Sequence, residues 1–251
     1  MSELIIAKDL CKTFSNNSVQ QHVLKNLNLE IHKGEFLVIM GNSGSGKSTL
    51  LYSLSGMDRI TLGKIIYDGT EIQNYSDAKL CVFRGKNTGF VFQQNFLNDT
   101  LTVLDNVMVC GLLTHKNRKK LVQKVKTLLL HVGIKEEDFN KFPSQLSGGQ
   151  KQRVAVVRGI INEPQVLFAD EPTGALNSDN TEKLLDILTD MNEKGQTIVM
   201  VTHSVEAARR GDRVMYLEDG IIKDTIELGK YSKREKSVNK KLNHFLEEMG
   251  W

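Results

Sequence analysis

The run Gly41-Asn42-Ser43-Gly44-Ser45-Gly46-Lys47-Ser48-Thr49 follows the apolar stretch Phe36-Leu37-Val38-Ile39-Met40 and leads into Leu50-Leu51-Tyr52-Ser53-Leu54. Buried strand, glycine-rich turn and helix in that order are the setting of a Walker A phosphate loop. Glycines let the backbone curl so that successive N–H groups face inward with no Cβ in the way, and the helix start adds partial positive charge. Lys47 is placed to reach the β- and γ-phosphates, Ser48 to offer its hydroxyl to Mg²⁺, and Thr49 to support the α/β end. A dinucleotide fingerprint fits less well, because its third glycine falls where Thr49 stands.

At 251 residues, 40% hydrophobic and 25% charged, the chain has the size and composition of a soluble α/β domain rather than of a disordered one. A net charge of +3 is too small to argue for nucleic acid. Cys11, Cys81 and Cys110 lie far apart without ligand-like spacing, so neither a disulfide nor a zinc site is expected. The start Met1-Ser2-Glu3-Leu4 carries an acid early and no basic leader, so no signal peptide is expected. No stretch approaches the ~20 apolar residues of a membrane-crossing helix.

Leu4 to Leu10 and Val23 to Ile31 alternate apolar and polar residues, as half-buried antiparallel strands do, with a turn at Ser15-Asn16-Asn17-Ser18 and Phe14 at its lip. Strands are predicted over Gly63 to Gly69 and over Thr88 to Phe92, the latter ending at Gln93. Helical periods then run over Leu101 to Leu113, Lys119 to Val132 and Gly148 to Ile161, a mostly helical insertion spanning about 94–162. Alternation resumes with the strand Val166 to Ala169, the helix Thr181 to Met191, the strand Thr197 to Val201 and the helix Val205 to Arg210. A hairpin turns at Glu218-Asp219-Gly220.

The strand Val166-Leu167-Phe168-Ala169 ends in Asp170-Glu171. Neighbouring side chains on a strand diverge, so the two acids can divide the work: Asp170 toward a hydrated Mg²⁺, Glu171 toward an attacking water. The plainer reading is a helix cap and a surface acid before Pro172. Leu146-Ser147-Gly148-Gly149-Gln150 opens a helix with a hydroxyl and free N–H groups, a second anion site or an ordinary capped start.

A Walker A loop, a glutamine ending a strand, LSGGQ, a Walker B strand with its glutamate and a histidine ending the next strand occur in an order that resembles an ABC-type ATPase, over about Leu4 to Ile226. The resemblance implies an α/β fold: a P-loop NTPase core with a mixed sheet, an N-terminal antiparallel β subdomain and an inserted α-helical subdomain. It implies residues 1–229 as the ATPase domain and 230–251 as a basic amphipathic tail. It implies ATP and Mg²⁺ as cofactors and a head-to-tail homodimer, in which the loop Gly41 to Thr49 of one copy faces Ser147, Gly148, Gly149 and Gln150 of the other. Carried over position by position, Phe14 stacks on adenine, Ser48, Gln93 and Asp170 serve the metal, and Glu171, His203 and Gln93 serve catalysis. Phe14 and His203 also have purely structural readings. Where the family commonly has aspartate, this chain has Asn177, which keeps hydrogen bonding but drops a charge.

The wording Gly89-Phe90-Val91-Phe92-Gln93-Gln94, Asp170-Glu171-Pro172-Thr173-Gly174-Ala175-Leu176 and Thr202-His203-Ser204 looks like the branch serving macrolide exporters, lipoprotein-release systems and antimicrobial-peptide (bacitracin-type) pumps. It implies a separate integral membrane permease, contacted near Gln93 and Asn95 to Asn106, and a place on the cytoplasmic face of the membrane. In the tail, Val238, Leu242, Phe245, Leu246 and Met249 fall at helical spacing behind Lys233, Arg234, Lys236, Lys240 and Lys241. Such a helix can pack on its own domain or its twin, or dock on a partner or anionic lipid. The basic run Lys116, Arg118, Lys119, Lys120, Lys124 and Lys126 reads as the wet face of a helix, and no nucleic acid is expected as partner.

Overall fold

The computed structural model describes residues 2–16, 19–231 and 237–251. The chain opens with β1 (Glu3–Asn16), β2 (Val19–His32) and β3 (Phe36–Met40), then α1 (Lys47–Leu54), β4 (Leu62–Tyr67), β5 (Thr70–Glu71), α2 (Asp77–Asn87) and β6 (Thr88–Phe92). Next come α3 (Val103–Gly111), α4 (Arg118–His131) and α5 (Gly148–Ile160). The remainder is β7 (Val166–Asp170), α6 (Ser178–Glu193), β8 (Thr197–Val201), α7 (Val205–Ala208), β9 (Arg213–Glu218), β10 (Ile221–Glu227) and α8 (Ser237–Glu248).

Two sheets result, a four-stranded antiparallel one in the order β2-β1-β4-β5 and a six-stranded one in the order β10-β9-β3-β8-β7-β6. Within the larger sheet β9, β3, β8, β7 and β6 are parallel and β10 is antiparallel at the edge. Every residue of β3, β7 and β8 is buried, as continuous apolar runs must be when both sheet faces are covered. One cover is the small sheet with α1, through Leu10, Leu27, Ile31, Leu50 and Leu54. The other is α6 with α8, whose Leu242, Phe245 and Leu246 sit among Phe36, Val38, Met40 and Tyr216. A third cluster, with Val107, Leu121, Val125, Leu129 and Val154, belongs to α3, α4 and α5.

The helix α2 is absent from the sequence-based expectation. It buries only Leu80 among its eleven residues, so its apolar period is faint, and its one firm signal is the Ser76 cap accepting from the Lys79 amide. Strand β1 also continues past Leu10 through Phe14, which pairs with Gln21 inside the hairpin. The predicted helices exist with ends shifted by a few residues, and α6 begins at Ser178 because Asn177 accepts from the Asn180 amide. The basic run on α4 is largely exposed, with Lys124 paired to Glu163 at 2.7 Å. Of the expected features, Asn17, Ser18, Lys233, Arg234 and Lys236 lie outside the described residues, as does the Val238 side chain.

Candidate active site

The carboxyl ends of β3, β7 and β8 lie side by side, which is where open α/β sheets build their sites. From them leave the loop Gly41 to Gly46, the pair Asp170 and Glu171, and the Thr202-His203 turn. Gly41 has φ +145, and a Cβ there would come within 2.0 Å of the Leu217 carbonyl oxygen, so no other residue fits. Gly46, at φ +101, precedes α1 with no side chain capping the helix start. The amides of that first turn are therefore left for an anion.

These elements frame a cleft of about 560 Å³ lined by Phe14, Gln21, Val23, the loop, Glu171, His203 and Trp251. Of the loop, Gly41, Asn42, Ser43, Gly44, Gly46, Lys47, Ser48 and Thr49 line it, while Ser45 is buried and its amide closes the turn on the Asn42 carbonyl. Lys47 Nζ donates to the carbonyls of Gly41 and Asn42, each at 2.8 Å. Burial lowers its pKa, opposed by the nearby charges of Glu171 and Asp170. An ammonium has three protons, so one remains for a phosphate oxygen.

Asp170 is held at both oxygens. Ser48 Oγ donates to Oδ1 at 2.9 Å and Tyr52 Oη donates to Oδ2 at 2.6 Å. Burial and the Asp170 carboxylate push the Tyr52 pKa far above its usual value, so the phenol stays protonated and remains a donor. Tyr52 was missed in the sequence because it stands on α1 three residues past the quoted motif; its spacing of four from Ser48, one helical turn, is the signal that could have found it.

Glu171 has φ +48, an uncommon conformation for a residue with a Cβ, fixed by its N–H to the Val201 carbonyl and its own carbonyl to the Gly174 amide, both at 3.0 Å. His203 Nδ1 lies 2.8 Å from Glu171 Oε2. The contact is one of proximity, since Oε2 is buried without an aligned donor among the described residues. Gln93 is exposed and lies against Gly174, where a Cβ would meet its Nε2 at 2.9 Å, and it does not line the cleft.

Ser147, Gly148, Gly149 and Gln150 also stay out of this cleft. Ser147 caps α5 by accepting from the Gln150 amide, and Gln150 Oε1 accepts from the Ser147 amide, a reciprocal capping box. Gly149 is packed so closely that a Cβ would come within 2.2 Å of Asn180 Oδ1. Asn180 in turn donates from Nδ2 to Asn177 Oδ1 at 2.8 Å, so Asn177 and the start of α5 are linked through one side chain.

Residues 24–174 match the ABC transporter family. A bacitracin export ATP-binding protein, BceA of Halalkalibacterium halodurans, is 41% identical over 92% of this chain and 91% of its own length. A lipoprotein-releasing system ATP-binding protein, LolD of Aquifex aeolicus, is 41% identical over 88% of this chain and 96% of its own. Among solved structures, the dimeric ABC transporter cassette MJ0796, from Methanocaldococcus jannaschii, superposes with a TM-score of 0.85 at 38% identity, covering 91% of this chain and 100% of that one.

Proposed function

Because this chain belongs to the ABC transporter family and is an ATPase of it, we propose that two copies close on two ATP molecules and drive a separate integral membrane permease. The observation that carries this is the separation within one chain: Lys47, Glu171 and His203 share a cleft, and Ser147 to Gln150 lie elsewhere. A second copy supplies that helix start across each nucleotide. The dimeric cassette MJ0796, also solved with ADP and Pi in a post-hydrolysis state, supports the arrangement. In this reading residues 1–229 are the ATPase domain, with 94–162 inserted as a helical subdomain, and 230–251 are the tail.

The residues present fit Mg²⁺. Ser48 Oγ and Asp170 Oδ1 are hard oxygens 2.9 Å apart. No cluster of three His, Cys, Asp or Glu stands among the described residues, which suits a metal that shares its shell with phosphates and water. When bound, the metal neutralises charge on the β- and γ-phosphates. Ser48 and Asp170 would hold it, Lys47 would grip the phosphates and Phe14 would stack on adenine, while Gln93, which lies beside Gly174 outside the cleft, would have to turn in to reach the metal. Glu171 accepts a proton from the water that attacks the γ-phosphorus as the bond to the ADP oxygen breaks, and His203 holds the γ-phosphate.

No helix among the described residues is long and apolar enough to cross a membrane. The proposed place is the cytoplasmic face, through the permease. For the cargo we take antimicrobial-peptide export or resistance, supported by the match to BceA over 92% of the chain. Lipoprotein release is the second reading, on the equal 41% identity to LolD. The ATPase reading is tested by Glu171→Gln: ATP with magnesium is expected to convert the monomer into a stable dimer on size exclusion, with turnover reduced by ~10²-fold or more. A variant that stays monomeric and turns over at the normal rate contradicts it. Cargo is decided by identifying the co-purifying permease and by bacitracin sensitivity of a strain lacking the chain.

A further inference from the structure

Of the cleft residues that the ATPase machinery described above leaves unused, Gln21, Val23 and Trp251, the last is the aromatic one. Its position is built. Gly250, at φ +78, ends α8 in the left-handed conformation; its amide donates to the Glu247 carbonyl, and the Trp251 amide donates to the Leu246 carbonyl at 2.9 Å. Those two bonds are a Schellman close, which fixes the residue after the glycine relative to the helix. The helix is itself anchored by buried Leu242, Phe245 and Leu246 and by Lys241 Nζ donating to the Glu227 carbonyl. The indole stands edge-on to Tyr216, with ring centres 6.2 Å apart at 88°, and is still 39% exposed toward the cleft.

The sheet order says which half of a nucleotide lies nearest. Tyr216 is on β9, beyond β3 from β8 and β7, whose ends carry His203 and Glu171. The turn after β9 is bound to the Phe14 side of the cleft: the Gly220 carbonyl accepts from the Lys25 amide, next to Val23, and the Gly220 amide donates to the Ser45 carbonyl. Trp251, seated on Tyr216 from the α8 face of the sheet, thus lies beyond β3 from the strand ends that carry His203 and Glu171, while Phe14 and Val23 line the same cleft from the small-sheet face. One face of Phe14 already carries the Lys12 ammonium at 4.6 Å, so that ring offers a base its other face. A partly exposed indole complements a base or ribose far better than a phosphate.

We propose that Trp251 is a second aromatic contact for the nucleoside half of ATP, which makes α8 part of the nucleotide site. This rests on the cleft being the ATP site, and the two ideas separate experimentally. The chain has a single tryptophan, so its emission reports this ring alone. With the purified full chain kept monomeric, ATP and inorganic tripolyphosphate are titrated while binding is measured independently by equilibrium dialysis. ATP is expected to change Trp251 emission with the midpoint found by dialysis. Trp251→Ala is expected to weaken ATP about tenfold and leave tripolyphosphate unchanged, and Trp251→Phe to stay within about threefold of the parent. Circular dichroism melts check that both variants fold. Unchanged ATP affinity in Trp251→Ala overturns the contact while the site reading stands. Equal weakening of ATP and tripolyphosphate, or an emission change confined to the ATP-trapped Glu171→Gln dimer, also overturns it. If the parent chain binds no ATP, the site reading fails first and the contact with it.

Discussion

The phosphate loop and the start of α5 are both helix N-termini opened by glycine, and they are finished in opposite ways. At α1 no side chain caps the amides, and Lys47, Ser48, Asp170 and Tyr52 are drawn together beneath them by hydrogen bonds. At α5 Ser147 and Gln150 satisfy one another's backbone groups, and the exposed turn is braced from behind by Asn180. The first end is unfinished without an anion, whereas the second is stable as it stands and waits for a ligand held by something else. One fold therefore carries a whole receptor and a separate lid, which the proposed dimer brings together from different copies.

The largest expected effect breaks the receptor. Lys47→Ala removes the buried ammonium and leaves the Gly41 and Asn42 carbonyls without their donor. Turnover should fall by roughly 10²–10³-fold, and monomer affinity for ATP should fall with it. Retained ATP affinity in dialysis would place the phosphates elsewhere.

Gly149→Ala attacks the lid and should leave the receptor alone. The new methyl would stand 2.2 Å from Asn180 Oδ1, so the Asn180 side chain must swing away and give up its Nδ2 bond to Asn177 Oδ1, while the Asn180 backbone amide keeps the cap of α6. Monomer ATP affinity is expected to hold. ATP-driven dimer formation and turnover should drop by on the order of tenfold to a hundredfold, and loss of the side-chain hydrogen bond should cost about 1 kcal/mol of stability. Weakened ATP binding by the monomer would mean that the two ends are not independent.

The same contrast explains what could be read in advance. Buried runs such as Val38 to Met40 and Val166 to Ala169, closed by glycine or carboxylate, announce both strand and chemistry, because burial on two faces leaves little freedom in composition. The receptor was legible for that reason. Helix α2 was not, since a surface helix that buries one leucine leaves almost no period in its sequence. Trp251 and Tyr52 were missed for a different reason: Tyr52 acts through a bond to Asp170, 118 residues away, of which its one-turn spacing from Ser48 is the only trace, and Trp251 sits at a helix end whose destination only packing decides. The tail showed its amphipathic period in the sequence, while its seat on Tyr216 and Phe36 is a property of the assembled core.

The smallest expected effect sharpens the receptor from within. Tyr52 Oη holds Asp170 Oδ2 at 2.6 Å, which leaves Oδ1, now accepting from Ser48, as the oxygen free to turn toward a metal or its water. Tyr52→Phe keeps the ring, its bulk and its tilted contact with Phe92, and removes only the donor. The carboxylate then gains a rotation that the metal site must freeze, and losing such a supporting bond typically weakens metal binding by ~10-fold or more. The expected result is about tenfold weaker Mn²⁺ binding with nucleotide present, followed by electron paramagnetic resonance, with metal-free ATP affinity unchanged. Saturating magnesium should restore most of the turnover, which distinguishes a lost orientation from a damaged fold. If metal affinity does not move while turnover falls, the hydroxyl serves packing between α1 and β7 rather than the carboxylate's aim.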